Sequence, residues 1–462
     1  MRIRMIHKAA DLIGIGICSA IIFPSCGIKA KKSESAKPNI IVIMIDDLGF
    51  GDLGCYGSKY NQTANIDRLA ENGLKFLNFH SNGSMSSPTR AAFLTGLYQN
   101  RLGIIFEGAL GVKDYNTGMP LEAITIAEVL KEEGYATGMY GKWHLGYLPP
   151  YLPGNQGFDD FKGLVSGDLD HHTHVDRWGR EDWWHNEVIE SEDGYSVDLI
   201  TNHSIQFINK NKNVPFFLYV AHIAIHFPWQ GPDDPPHREA GKSYEADKWG
   251  IIPDRYNVQP HVKAMVESID KGVGEIISTL KNLGLEENTL IVFTSDNGGY
   301  IDYQGLFHNI SSNGPFRGQK GQLYEGGHRV PGIFYWPGRI ERGTTNEVVL
   351  TMDLFPTFTS LASAKLPENL KLDGVDIQSL LLHGEQLPER TIFWKTRNDR
   401  ALLKDNWKLL LQGERLPELY NLNDDNGETI NLAKSNPEIV SELTNEYEGW
   451  YNDIISYASK WN

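Results

Sequence analysis

Residues 38–57 read PNIIVIMIDDLGFGDLGCYG. Ile40 to Ile45 is an unbroken apolar run, and continuous rather than alternating apolarity marks a strand buried on both faces of a parallel sheet. The run ends in Asp46-Asp47 followed by glycines. Carboxylates at the C-terminal end of such a strand stand where open α/β sheets place their ligands. Outward from it, helix-period patterns at 66–77, 121–134, 196–211 and 261–284 alternate with apolar strand patterns at 134–141, 214–222 and 289–299. The alternation predicts an α/β fold, a doubly wound mostly parallel sheet flanked by helices. Short strand patterns over 391–425 predict a small antiparallel sheet, and 436–458, opening on Asn436-Pro437, predicts a closing helix. The expected organisation is a main domain over 38–375 and a C-terminal subdomain over 376–462.

A second acidic pair, Asp296-Asn297, follows the apolar run Leu290 to Phe293. Two strand ends carrying Asp-Asp and Asp-Asn offer only oxygen donors, a set that suits Ca²⁺ or Mg²⁺ rather than zinc. The stretch SMSSPTRAAFLTGLYQNRLG, 84–103, adds Ser86 and Arg90. Pro88 fits a first helical turn, where its missing N–H would be unpaired in any case. Ser86 is then expected just ahead of a helix N-terminus, which favours an anion, with Arg90 one turn in as a fixed cation. In GKWHLG, 141–146, Lys142 and His144 stand two residues apart, so an extended segment points both at one centre. Lys320 lies in the glycine-rich GPFRGQKGQLYEGGHRVP, 314–331, and His222 and His226 in AHIAIHFPWQGP, 221–232.

These segments together resemble the type I sulfatases. Ser86, Pro88, Thr89, Arg90, Leu94, Thr95 and Gly96 match the family signature, and Arg317-Gly318, Glu325-Gly326-Gly327 and Arg329-Val330-Pro331 match its lysine motif. The resemblance runs from about Asn39 to about Asn431, with five motifs in order. It implies the alkaline-phosphatase-like fold. It also implies that Ser86 is oxidised after synthesis to Cα-formylglycine, whose hydrated aldehyde is the nucleophile. One calcium held by Asp46, Asp47, Asp296 and Asn297 would touch residue 86. Arg90, Lys142 and Lys320 would surround the sulfuryl group, His226 would protonate the leaving oxygen, and His144 would take the proton whose loss releases sulfate. Two departures stand out. Serine replaces the more frequent cysteine at 86, which calls for a maturase that accepts serine, and Ile225 replaces the usual proline before His226. A phosphomonoesterase, phosphodiesterase or phosphonate hydrolase of the same superfamily remains an alternative. So does a non-catalytic glycan-binding relative in which Ser86 stays unmodified.

The net charge of −16 argues against nucleic acid as a partner. At the N-terminus Arg2, Arg4 and Lys8 precede the apolar run LIGIGICSAIIF and the tetrapeptide PSCG, the pattern of an export signal ending in a lipidation motif at Cys26. The expected address is a bacterial periplasm, with a possible lipid anchor and a flexible tether over 27–37. After processing only Cys55 remains, so no intramolecular disulfide is expected. Residues 166–186 crowd His171, His172, His174, Arg177, Trp183 and Trp184 together, a density that suits sugar hydroxyls and ring faces. Arg397 is a further candidate from the C-terminal region. The expected substrate is a sulfated carbohydrate.

Overall fold

A computed structural model describes residues 37–252 and 254–461. The signal and Cys26 motif, and the tether up to Ala36, lie outside the described residues. From Lys37 onward the chain forms one compact unit.

Six strands build the centre: β1 (Asn39–Ile45), β2 (Ala136–Lys142), β3 (Asp160–Leu164), β4 (Phe216–His222), β5 (Thr289–Ser295) and β6 (Gly332–Tyr335). They stand in the order β6-β5-β1-β4-β2-β3 within a ten-stranded sheet. β5, β1, β4, β2 and β3 are all parallel, and β6 is antiparallel to β5. Short strands extend both edges, Leu74–Phe76 and Gly343–Thr345 beyond β6, Trp184–His185 and Val188–Ile189 beyond β3. The expected mostly parallel sheet is therefore observed, with mixed edges.

β1 explains why it sits in the middle. Successive side chains point to opposite faces of a strand. Ile40, Val42 and Met44 enter one hydrophobic cluster, with α2 (Ser86–Thr95) and α6 (Leu354–Leu361). Ile41, Ile43 and Ile45 enter the other, with α1 (Ala64–Asn72), α4 (Ser196–Asn211) and α5 (Gln259–Asn282). Only a residue set apolar at every position fills both. The helix α3 (Ile126–Glu132) starts five residues later than the apolar pattern at 121. Thr125 and Glu128 form a capping box there, the Thr125 hydroxyl accepting from the Glu128 N–H while Glu128 accepts from the Thr125 N–H.

The C-terminal region is a four-stranded antiparallel sheet, β7 (Ile392–Lys395), β8 (Asp399–Lys404), β9 (Trp407–Gln412) and β10 (Glu418–Asn421), covered by α7 (Pro437–Ala458). Leu443, Tyr447 and Ile454 of α7 pack onto Trp394, Leu402 and Leu409. A buried ionic knot joins this sheet to the glycine-rich loop. The Lys408 Nζ lies 2.8 Å from Glu325, 2.9 Å from Glu428 and 3.1 Å from the His328 ring. Trp394 stacks on His328 at 4.0 Å and donates its indole N–H to the Ser81 carbonyl.

Lys408, Glu325 and Glu428 are all buried, so the lysine cannot be removed without stranding carboxylate charge. Lys408→Met is expected to lower unfolding stability by about 3–5 kcal/mol, read as a fall in the urea midpoint. A loss below about 1 kcal/mol, the range of exposed pairs, would show that the knot does not hold the sheet in place.

Candidate active site

The site lies at the C-terminal ends of β1 and β5. Ile45 pairs with Ser295, so the residues that follow emerge side by side. Asp47 adopts a left-handed φ of 63°, uncommon outside glycine and asparagine. The turn is closed by the Asp47 N–H donating to Asp296 and the Leu48 N–H donating to the Ser295 hydroxyl. Carboxylate oxygens of Asp46, Asp47 and Asp296 lie within 4.8 Å of one another. Asn297 donates from its amide nitrogen to Asp47 at 2.8 Å, while its Oδ1 is buried with no hydrogen-bond partner among the described residues. A buried acceptor without a donor asks for an explanation, and a hard cation shared with three carboxylates supplies one. The donors are all oxygen, which fits Ca²⁺ or Mg²⁺ chemistry. Burial pushes the Asp46 and Asp296 carboxyls above their usual range, and an adjacent cation would oppose that rise.

Ser86 is the first residue of α2 rather than the residue ahead of it. Pro88 still falls in the first turn, where no N–H is required. The Ser86 hydroxyl donates to Asp46 at 3.0 Å and receives the Lys142 ammonium at 3.3 Å. Lys142, the last residue of β2, also pairs with Asp46. Burial lowers the Lys142 ammonium from its ordinary value, with Asp46 acting to keep it charged.

Arg90 takes a place different from the expected one. Its guanidinium is fully buried and donates twice to Asp296, at 2.8 and 3.0 Å, and once each to the Lys142 carbonyl and the Tyr219 hydroxyl. It fixes the Asp296 carboxylate and the end of β2. Sequence reading missed Tyr219, an internal residue of β4 with no motif around it.

His144 also arrives by a different route. The strand stops at Lys142 and His144 has a φ of 59°, so the extended-segment argument for pairing the two does not apply. Its Nε2–H donates to the Leu110 carbonyl at 2.9 Å, leaving Nδ1 buried and unpartnered among the described residues. The Leu110 N–H donates to the Ser87 hydroxyl, so the residue next to Ser86 helps place the carbonyl that orients His144. Gly167 packs so closely that a Cβ would stand 2.7 Å from the imidazole. Nothing in the sequence around Leu110 signals this role.

Lys320 and His226 both face Asp47. The Lys320 Nζ is 2.5 Å from Asp47 Oδ1, and His226 Nε2 is 3.9 Å from Oδ2. Burial alone would lower the Lys320 ammonium, but Asp47, Tyr300 and the other carboxylates hold it above its usual value. His226 donates from Nδ1 to the Phe227 carbonyl, which leaves Nε2 as the titrating atom. Burial, then Lys320 and Lys142, keep this imidazole well below its ordinary range, so it rests neutral. His222 is buried, and neither ring nitrogen has a partner among the described residues.

The 166–186 segment departs from expectation. His171 is buried and uses Nδ1 with the Ser196 hydroxyl and Nε2 with the His226 carbonyl, so it braces the His226 loop instead of presenting a ring to sugar. His172 packs on Tyr195 and reaches the Gly231 carbonyl. His174 is buried against Trp183, with ring centroids 4.4 Å apart. The polar density that suggested sugar contact folds the loop onto itself. Arg177 stays partly exposed beside Phe227, and Arg397 is exposed and packs near Gly108.

The fold and site define the alkaline-phosphatase-like α/β class, with an oxygen-only donor cluster that could hold a divalent cation beside the Ser86 hydroxyl. The Sulfatase family model matches residues 38–364. The chain is 33% identical to human arylsulfatase A, over 88% of this chain and 86% of that one. It is 31% identical to an N-acetylgalactosamine-6-O-sulfatase of Bacteroides thetaiotaomicron, over 92% and 95%. The crystal structure of Ps i-CgsB in complex with k-i-k-neocarrahexaose superposes with a TM-score of 0.79 at 33% identity, covering 90% of this chain and 92% of that one. The chain belongs to the sulfatase family and is a sulfate ester hydrolase.

If the oxygen cluster binds a divalent cation, Ca²⁺ at about one hundred times its Kd should stabilise the folded chain by about 2.7 kcal/mol, seen as a rise in Tm. Asn297→Leu should abolish most of that rise and reduce the metal retained on gel filtration. An equal Tm rise in wild type and variant would remove Asn297 from the ligand set.

Proposed function

We propose that the chain is a carbohydrate sulfatase that cleaves the S–O bond of a sugar O-sulfate, using calcium and a Cα-formylglycine formed from Ser86. The observation that carries this reading is the environment of the Ser86 hydroxyl. It rests on an Asp46 carboxylate and a Lys142 ammonium, while Lys320 and His226 stand across Asp47. The carbohydrate assignment draws on the two glycan-named relatives, whose names give N-acetylgalactosamine-6-O-sulfate chemistry and a carrageenan oligosaccharide complex. Asn297, where zinc members of the superfamily carry histidine, favours calcium over a zinc phosphatase reading.

When present, the metal would supply positive charge against the sulfuryl oxygens, and the formylglycine would supply the attacking oxygen. The remaining work falls to this chain's residues. Lys142 and Lys320 are preorganised cations, fixed by burial and carboxylates before substrate arrives, so little reorganisation accompanies charge build-up. Arg90 keeps Asp296 and the end of β2 in place. His226 is the proton donor to the sugar oxygen. Its neutral resting state is reversed by the substrate itself, because a sulfate anion beside Nε2 favours the charged imidazole. His144, oriented through Leu110, is the base, its Nδ1 having no partner among the described residues and so able to accept a proton. Export to the periplasm and anchoring through Cys26 complete the proposal.

Co-expression with a serine-type maturase is expected to remove two hydrogens from the peptide containing Ser86 and to switch on hydrolysis of sulfated sugars. Full activity from protein whose Ser86 peptide is unmodified would refute the mechanism. Desalting the two preparations side by side and measuring peptide mass with sulfate release decides it.

A poor leaving group needs a proton, and an activated aryl oxide does not. His226→Ala should therefore slow sugar sulfates by roughly two to four orders of magnitude, with a much smaller effect on a nitroaryl sulfate. Equal slowing of both substrates would make His226 a sulfate-binding residue.

A further inference from the structure

Beside His226 the aromatic wall carries two cations that the sulfuryl site does not use. The His226 ring packs on Phe227 with centroids 4.2 Å apart, Phe227 packs on Tyr303, and Tyr303 meets Tyr300, the ring beneath Lys320. Arg177 and Lys248 both lie against this wall. The Arg177 guanidinium is 5.3 Å from the Phe227 ring centre, and the Lys248 ammonium is 5.7 Å from Phe227 and 5.9 Å from Tyr303.

Among the described residues, neither cation has a carboxylate to itself. Arg177 donates from Nε to Asp168, but the same carboxylate also takes the buried Arg238 at 2.9 Å. Asp168 is thus shared between two guanidiniums. Lys248 is half-buried, and its ammonium makes no ion pair or hydrogen bond among the described residues. After Asp168, Glu245 is the next acidic influence on Arg177, and the two form no salt bridge. The Phe227 ring joins this patch to the active site, with His226 4.2 Å from its centre and the Arg177 guanidinium 5.3 Å from it. In a chain of net charge −16, such a patch at the mouth of an anion site has a ligand chemistry written into it.

We propose that Lys248 and Arg177 form a subsite for a second anionic group of the substrate, a sulfate or a carboxylate on the same or the neighbouring sugar ring. The proposal rests on the sulfatase reading above and narrows its substrate class to glycans carrying more than one negative charge. Phe227 and Tyr303 serve the same subsite. Their faces hold the two cations by cation–π attraction, and their edges offer apolar contact to a sugar. His171 contributes indirectly, since it carries the His226 carbonyl and so the start of the Phe227 wall.

The test compares matured wild type and Lys248→Gln on three substrates: a monosulfated monosaccharide, its disulfated counterpart, and a monosulfated disaccharide bearing a uronic acid. Wild type should prefer at least one doubly charged substrate in kcat/KM. Lys248→Gln should cut that preference ratio at least tenfold, and Lys248→Glu should invert it. The arm that responds distinguishes a sulfate from a carboxylate as the second group. A wild type without preference, or a ratio unmoved by both substitutions, overturns the subsite. If matured wild type hydrolyses no sulfate ester, the sulfatase reading itself fails. The subsite is then judged by calorimetric titration of a sulfate-free uronic-acid disaccharide against the unmodified chain. Weaker, less salt-dependent binding in Lys248→Gln supports it, and identical binding overturns it.

Discussion

Three carboxylates brought to the ends of two adjacent buried strands are the constraint on which the rest of the molecule depends. Asp46, Asp47 and Asp296 are almost fully shielded from water, and an unpaired carboxylate there would be protonated or would unfold the turn. Every other charged group at the centre answers to them. Lys142 pairs with Asp46, Lys320 with Asp47 and Arg90 with Asp296. The same geometry that cancels charge also leaves an oxygen of Asn297 without a donor among the described residues. An arrangement that is poor as a stabilising core is well suited to hold a cation and receive an anion.

Around this centre, the loops are fixed by backbone carbonyls rather than by further charge. Leu110 orients His144, Phe227 sets the tautomer of His226, and the carbonyl of His226 is itself held by His171. Burial keeps the imidazoles of His144 and His226 neutral, and the carbonyl partners fix which ring nitrogen is left over. A carboxylate partner would have raised their affinity for the proton permanently. The glycine-rich loop that carries Lys320 is in turn tied to the C-terminal sheet by Lys408, Glu325 and Glu428. That sheet therefore supports the active site without supplying a reacting group.

Comparison of the 166–186 segment with the acidic strand ends shows what kind of signal a sequence carries. The apolar run Ile40 to Ile45 and the pair Asp46-Asp47 could be read directly, because a strand that fills two cores has no polar position to spare and a carboxylate at its end has one exit. The histidines at 171, 172 and 174 could not. Their residue types fit sugar contact and internal bracing equally well, and only the contacts to Ser196, Gly231 and Trp183 separate the two.

The sequence by itself determined the α/β architecture and the oxygen-only donor set at two strand ends, because periodicity is a local property, while the grouping of Ser86, Lys142, His144, His226 and Lys320 in one centre was what the resemblance to the sulfatases implied. The tertiary structure alone decided that Arg90 serves Asp296, that His144 is reached through a left-handed turn, and that Lys408 closes the core against the C-terminal sheet. It also placed Lys248 on the wall beside His226. Arg90 and Asp296 are 206 positions apart and Lys408 and Glu325 are 83 apart, and no local pattern in a chain specifies which distant charge a side chain will meet.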